Sequence, residues 1–213
     1  MELRKQKIYK NVYEIACKEL LNSDCEAQFV NAGIAYKKVP GGFTVEVPYF
    51  DEVIVLKVPE FSFMSSKEAN VTLVTKIIIL HYINMANGVS LGSDKIPYED
   101  IPGLAGYLPV FERRAAKPLV TTFGFDRHAF LDTGLSLGGK REDYGDASFT
   151  LHALPRVPIT FILWEGDEEF PPSMKILFDP SITGYLPLED ISVISKLAST
   201  RIIKEARLQY SGD

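Results

Sequence analysis

Apolar residues recur along this chain with two periods, and the change of period marks the change of element. Phe149, Leu151 and Ala153 alternate with Ser148, Thr150 and His152, the period of two of a half-buried strand. Pro155 breaks that run and pushes its predecessor towards an extended conformation, so a turn is expected at 154–156. From Val157 to Trp164 both alternating sets are mostly apolar, which predicts a central strand covered on two sides, with Pro158 at its start where no ladder bond is lost. Glu165 to Glu169 and Pro171-Pro172 end the run; Met174, Ile176 and Phe178 resume it. Asp179-Pro180 reads as a helix cap followed by proline in the first turn, closed at Gly184. Three antiparallel strands followed by helix result.

The same reading applied to the rest gives a helix over 3–21, with Ile8, Val12, Ile15 and Leu20 near one stripe. Ser23 and Glu26 form a capping box for a short helix stopped by Gly33. Strands are predicted over 34–39, 43–47 and 53–58, with turns at 40–42 and 48–51, a first meander. Ser65 and Glu68 predict a helix running to about Asn87, apolar on so broad a surface that it must be buried. Glycine and proline over 88–118 predict short turns that can wall a pocket. Helices follow from Pro118 to Phe123, from Asp126 to Leu137, and over 188–208, the last packing on the second meander. The tail from Tyr210 is expected to fray. The fold class is α+β: an antiparallel, or mixed, sheet arrangement of two meanders packed by long helices, in one domain spanning 1–213.

Composition narrows the function classes. With 213 residues and 46% hydrophobic content a substantial core is available. The net charge of −5 offers no basic excess for phosphates, so a nucleic-acid partner is not expected. Cys17 and Cys25, with no CxxC, do not make a disulfide scaffold, zinc ribbon or cluster site. No stretch has the length of a membrane span, and the first residues lack a signal-peptide core, so a cytoplasmic protein is expected.

Candidate chemistry is sparse. Gly134-Leu135-Ser136-Leu137-Gly138 matches a nucleophile elbow, but a helix rather than a strand precedes the serine. Gly134 and Gly139-Lys140 approach a P-loop, yet Arg141 stands where magnesium needs a hydroxyl; a helix stop is the better reading. Arg113, Arg114, Lys117, Arg127, Lys140 and Arg141 crowd one segment, and guanidinium forks suit carboxylate or phosphate. Glu165, Asp167, Glu168 and Glu169 offer hard oxygen donors without calcium-loop spacing. Trp164 beside them can stack on a flat ligand. His81, His128 and His152 are better read as separate side chains than as a metal trio. No motif names a cofactor.

The pattern Gly145-Asp146-Ala147, Ala153-Leu154-Pro155-Arg156-Val157-Pro158, Leu163-Trp164-Glu165-Gly166-Asp167-Glu168-Glu169-Phe170-Pro171, Ile176-Leu177-Phe178-Asp179 and Tyr185-Leu186-Pro187 resembles a prokaryotic domain-of-unknown-function family. The resemblance is specific over 145–190 and looser from His81 to Gly124. It implies a setting in anaerobic bacteria and archaea. Some members carry a cysteine-rich iron–sulfur segment that this sequence lacks, so a cluster is not implied. The family brings no assigned activity and no catalytic residue.

Two function classes follow. The first is a non-catalytic binding or accessory module for an anionic small molecule, cofactor or partner protein, using Arg113, Arg114, Arg127, Lys140, Arg141, Arg156 and Trp164. The second is an enzyme in which His152, Asp146 or the acids from Glu165 to Glu169 do acid/base or metal-assisted chemistry. The first is preferred because no nucleophile–base pair has the right flanks.

Overall fold

The computed structural model describes residues 2–67 and 70–210, with side chains from residue 6 onward. The fold is α+β with two antiparallel sheets. The chain divides into two compact units, neither contiguous in sequence: the first holds residues 1–90, 154–156 and 181–187, the second the remainder.

The first unit opens with α1 (Glu2–Asn22) and α2 (Cys25–Ala32). The buried stripe of α1 is Ala16, Cys17 and Leu20, while Ile8 and Ile15 point outward, correcting half of the expected stripe. Asp24 caps α2 by accepting from the Ala27 amide at 3.1 Å. Ser23, the expected cap, instead donates to the Leu20 carbonyl. The strands β1 (Ala35–Val39), β2 (Gly42–Tyr49), β3 (Glu52–Val58) and β4 (Ser62–Ser65) form a sheet in that order. Val45 faces Leu56 and Val47 faces Ile54, all four buried, so one face carries the core. Pro48 lies within β2 rather than in a turn; β1 ends opposite Glu46, and a missing N–H is tolerated at a free edge.

Strand β4 was not expected. Ser65, read as a helix cap, pairs with Ile54 and donates its hydroxyl to Glu52. Glu68 lies outside the described residues, as does the tail from 211. Helix α3 (Leu73–Met85) starts later than expected, capped by Thr72, which accepts from the Thr75 amide. It packs against α1 and α2. Its Tyr82 is buried, donating to the Ala32 carbonyl and accepting from the Arg156 amide at 3.1 Å.

The second unit is built on a five-stranded sheet. Two-residue strands, β5 (Ile96–Pro97) and β6 (Lys140–Arg141), flank the expected meander of β7 (Ala147–Leu154), β8 (Val157–Trp164) and β9 (Ser173–Phe178), in the order β5-β9-β8-β7-β6. β8 is central, and from Ile159 to Leu163 every side chain is buried on both faces.

Residues 108–117 correct the expectation of turns alone over 88–118, while the helix expected from Pro118 to Phe123 is present. α4 (Leu108–Phe111), a π turn (Glu112–Ala116) and α5 (Lys117–Phe123) are continuous. Pro118 donates no hydrogen bond and its ring clashes with the carbonyl four residues back. The wider turn just before it relieves that clash without ending the helix. α6 (Arg127–Ser136) is capped by Asp126, and α7 (Leu188–Tyr210) packs against α5, α6 and the π turn.

Candidate functional site

A cavity of about 370 Å³ opens in the second unit between the 98–114 segment and the start of α7. Its floor is Tyr98, buried and stacked on Phe111 with ring centroids 3.9 Å apart. The Tyr98 hydroxyl is locked to Ser192 Oγ at 2.6 Å, which fixes the ring. Leu104, Val110, Leu188 and Val193 supply apolar wall, and Tyr107 lines it as well, 63% exposed. Gly103 has φ +90°, and a Cβ there would lie 3.0 Å from Leu188 Cδ1, so glycine lets this turn approach α7.

Two charged side chains line the cavity, Arg114 and Glu189. Arg114 comes from the π turn, the segment whose register differs from the helix on either side. Such turns recur at functional sites. An apolar cavity with one guanidinium fork and one carboxylate can seat a flat or branched apolar body and orient one anionic group. It holds no nucleophile–base pair: the Ser192 hydroxyl is engaged with a phenol, not a base.

The other expected ligand contacts are dispersed. Arg113 is exposed on the same π turn and does not line the cavity. Arg127 opens α6; its amide donates to Glu165 Oε1 at 2.9 Å and its guanidinium lies 3.6 Å from the same carboxylate. Lys140 and Arg141 are exposed on β6, opposite Thr150 and Phe149. Arg156 belongs to the first unit, with Nε 3.2 Å from where a Cβ on Gly33 would stand. Trp164 ends β8, 38% exposed, its indole beside Gly145.

The acidic loop is shaped by its own backbone. Asp167 Oδ1 accepts the amides of Glu169 at 2.8 Å and Phe170 at 2.7 Å, and those bonds hold its carboxyl below the usual range. Asp146 accepts the Glu165 amide at 2.8 Å. Glu168 and Glu169 are exposed. Among the described residues no group of three or more His, Cys, Asp or Glu side chains is arranged to hold a metal ion. His152 lines a smaller cavity beside Asp94 and Asp179; among the described residues no hydrogen bond links it to either.

The two glycine motifs have a packing explanation. Gly134 lies inside α6, where a Cβ would come within 2.3 Å of the buried Phe149 ring. Ser136 is helical and donates to the Thr133 carbonyl, so it is no elbow nucleophile.

Tyr98, Leu104, Tyr107 and Ser192 were not singled out in the sequence. The density of glycine and proline over 88–118 did mark the segment that became a pocket wall.

Among the described residues no helix is long and apolar enough to cross a membrane. No curated protein and no solved structure matches the chain. A family model for a domain of unknown function, DUF3786, matches residues 24–201, a span that contains the whole 145–190 pattern and both walls of the cavity. On that match, the chain belongs to the DUF3786 family.

Proposed function

We propose that the protein is a non-catalytic binding module for a small amphipathic anion, seated in the cavity between Tyr98 and α7. The supporting observation is the Arg114 guanidinium on the wall of an otherwise largely apolar cavity of about 370 Å³, a size common for small-molecule sites. Glu189 on the same lining would repel a second anionic group, so one carboxylate or phosphate is expected rather than two. The proposal treats the chain as one domain, because the family match runs through both units. It also carries the setting that the resemblance implies, a cytoplasmic module in anaerobic prokaryotic metabolism.

Calorimetry on the full chain tests it, with phenylpropionate and phenyl phosphate as probes and phenylpropionamide as the neutral control. The anions are expected to bind at least about tenfold more tightly than the amide, and Arg114→Gln to erase that difference. Equal affinity for amide and anions, or anion binding unaffected by Arg114→Gln, would remove the reading.

A further inference from the structure

The second sheet hides polar side chains. Thr150 and His152 share one side of β7 by alternation, and Thr160 joins them through its hydrogen bond to Thr150. Thr150 and Thr160 are buried, an unusual composition for a covered sheet face. A cavity of about 160 Å³ lies there, lined by Asp94, Lys95, His152, Pro158, Thr160 and Asp179 among others.

The protons on this face can be assigned in sequence. Burial pushes the Glu142 carboxyl up, but hydrogen bonds from Thr150 and Lys95 outweigh it and leave the group below its ordinary value. Glu142 is therefore ionised at neutral pH and only accepts. Thr150 gives its hydroxyl proton to Glu142 Oε1 at 2.6 Å. A hydroxyl has one proton, so the 2.7 Å bond between Thr150 and Thr160 must be donated by Thr160. Thr160, 2% exposed, then has no proton left for an occupant of the cavity and can only accept from it.

Charge points the same way. Asp179, 6% exposed, and Asp94 line the cavity. The Lys95 ammonium is directed at Glu142 at 2.9 Å. The lining itself holds the carboxylates of Asp94 and of Asp179, which accepts the Gly92 amide at 2.8 Å, beside the ammonium of Lys95. His152 adds an imidazole able to donate or accept.

We propose that this cavity binds the head of a small primary amine in its ammonium form, with Thr160 and the carboxylates of Asp94 and Asp179 as acceptors. The volume leaves room for a handful of non-hydrogen atoms, so a short aminoalkyl group fits and a nucleotide does not. The site is independent of the Arg114 cavity.

Titration of the full chain, followed by backbone amide shifts of Gly92 and Lys95, tests it with three probes. Propylammonium is the expected ligand, propionate reverses the charge, and tetramethylammonium keeps the charge without N–H donors. Propylammonium is expected to give saturable shifts, propionate none, and tetramethylammonium binding at least about tenfold weaker. Asp94→Asn, at an exposed position, is expected to weaken propylammonium at least about tenfold without lowering the melting temperature. Arg114→Gln should leave propylammonium binding unchanged, whatever it does to the anions. Saturable propionate binding, equal binding of both cations, or no saturable shift with any probe would overturn the proposal.

Discussion

Strands β3 and β8 are both interior strands of antiparallel sheets, yet they bury themselves differently. In β3, Ile54, Leu56 and Val58 are buried, while Val53 is 37% exposed and Lys57 faces water. In β8, Ile159 to Leu163 are buried without interruption. The first sheet buries one face of β3, while the other, which carries Val53, Val55 and Lys57, is exposed or half-exposed. The second covers its central strand β8 on both faces, and one of them includes Thr160, which must be satisfied by Thr150 of β7. A two-sided strand has no polar face to spare, so any polar residue it buries needs a partner and becomes informative about a site.

The sharpest way to break this contrast is Phe161→Ala. Phe161 is fully buried in β8 and packs on Phe149, with ring centroids 5.5 Å apart. Removing it should cost about 3–5 kcal/mol. Trp164, the chain's one tryptophan, ends the same strand, so its fluorescence in chemical denaturation reports that loss directly. A cost near 1 kcal/mol would mean that β8 is not the inner strand of its sheet.

The contrast also explains what the sequence disclosed. Mostly apolar character in both alternating sets from Val157 to Trp164 was enough to place β8 centrally, because two-sided burial leaves a composition that few other settings produce. Alternation disclosed β2, and less cleanly β3, for the opposite reason. Ser62–Ser65 escaped because a four-residue strand bounded by serines has too few positions to show a period. The helix through Pro118 escaped because a proline normally ends one, and only the π turn ahead of it reverses that expectation. The candidate site was legible in part: Arg114 stood in a visible basic cluster, and the turn-rich segment beside it marked a wall. Tyr98 and Ser192, 94 positions apart, meet only through the fold, and no local pattern in either neighbourhood announces the bond between them.

A second test moves to the first unit, where one phenol does the work that a threonine pair does in the second. Tyr82→Phe removes the donor to the Ala32 carbonyl and the acceptor for the Arg156 amide, an expected loss of about 1–3 kcal/mol. The pH dependence gives an independent readout. Burial, partly offset by the Arg156 amide bond, raises the Tyr82 pKa above its ordinary value of about 10. Above that ordinary value the unfolded chain has released the proton while the folded chain still holds it. The folded state then binds more protons, so stability falls as pH rises. The contribution is full below about pH 10 and is lost on the alkaline side. Tyr82→Phe should flatten the alkaline fall relative to the parent while leaving the shape at neutral pH unchanged. An alkaline limb of undiminished slope would assign the effect to other tyrosines.

The smallest expected effect carries the comparison to its other limit. Val53 sits in β3 on the face turned from the core, and its amide donates to Ser66 Oγ at 3.0 Å, a bond its side chain does not make. Threonine keeps the branched β-carbon that suits a pleated surface and puts its hydroxyl where water can reach it. Val53→Thr should therefore change stability by no more than about 0.5 kcal/mol in chemical denaturation followed by circular dichroism. If it costs more than about 1 kcal/mol, a range typical of burying an unpaired hydroxyl, then this face is not wet and the first sheet is covered on both sides like the second.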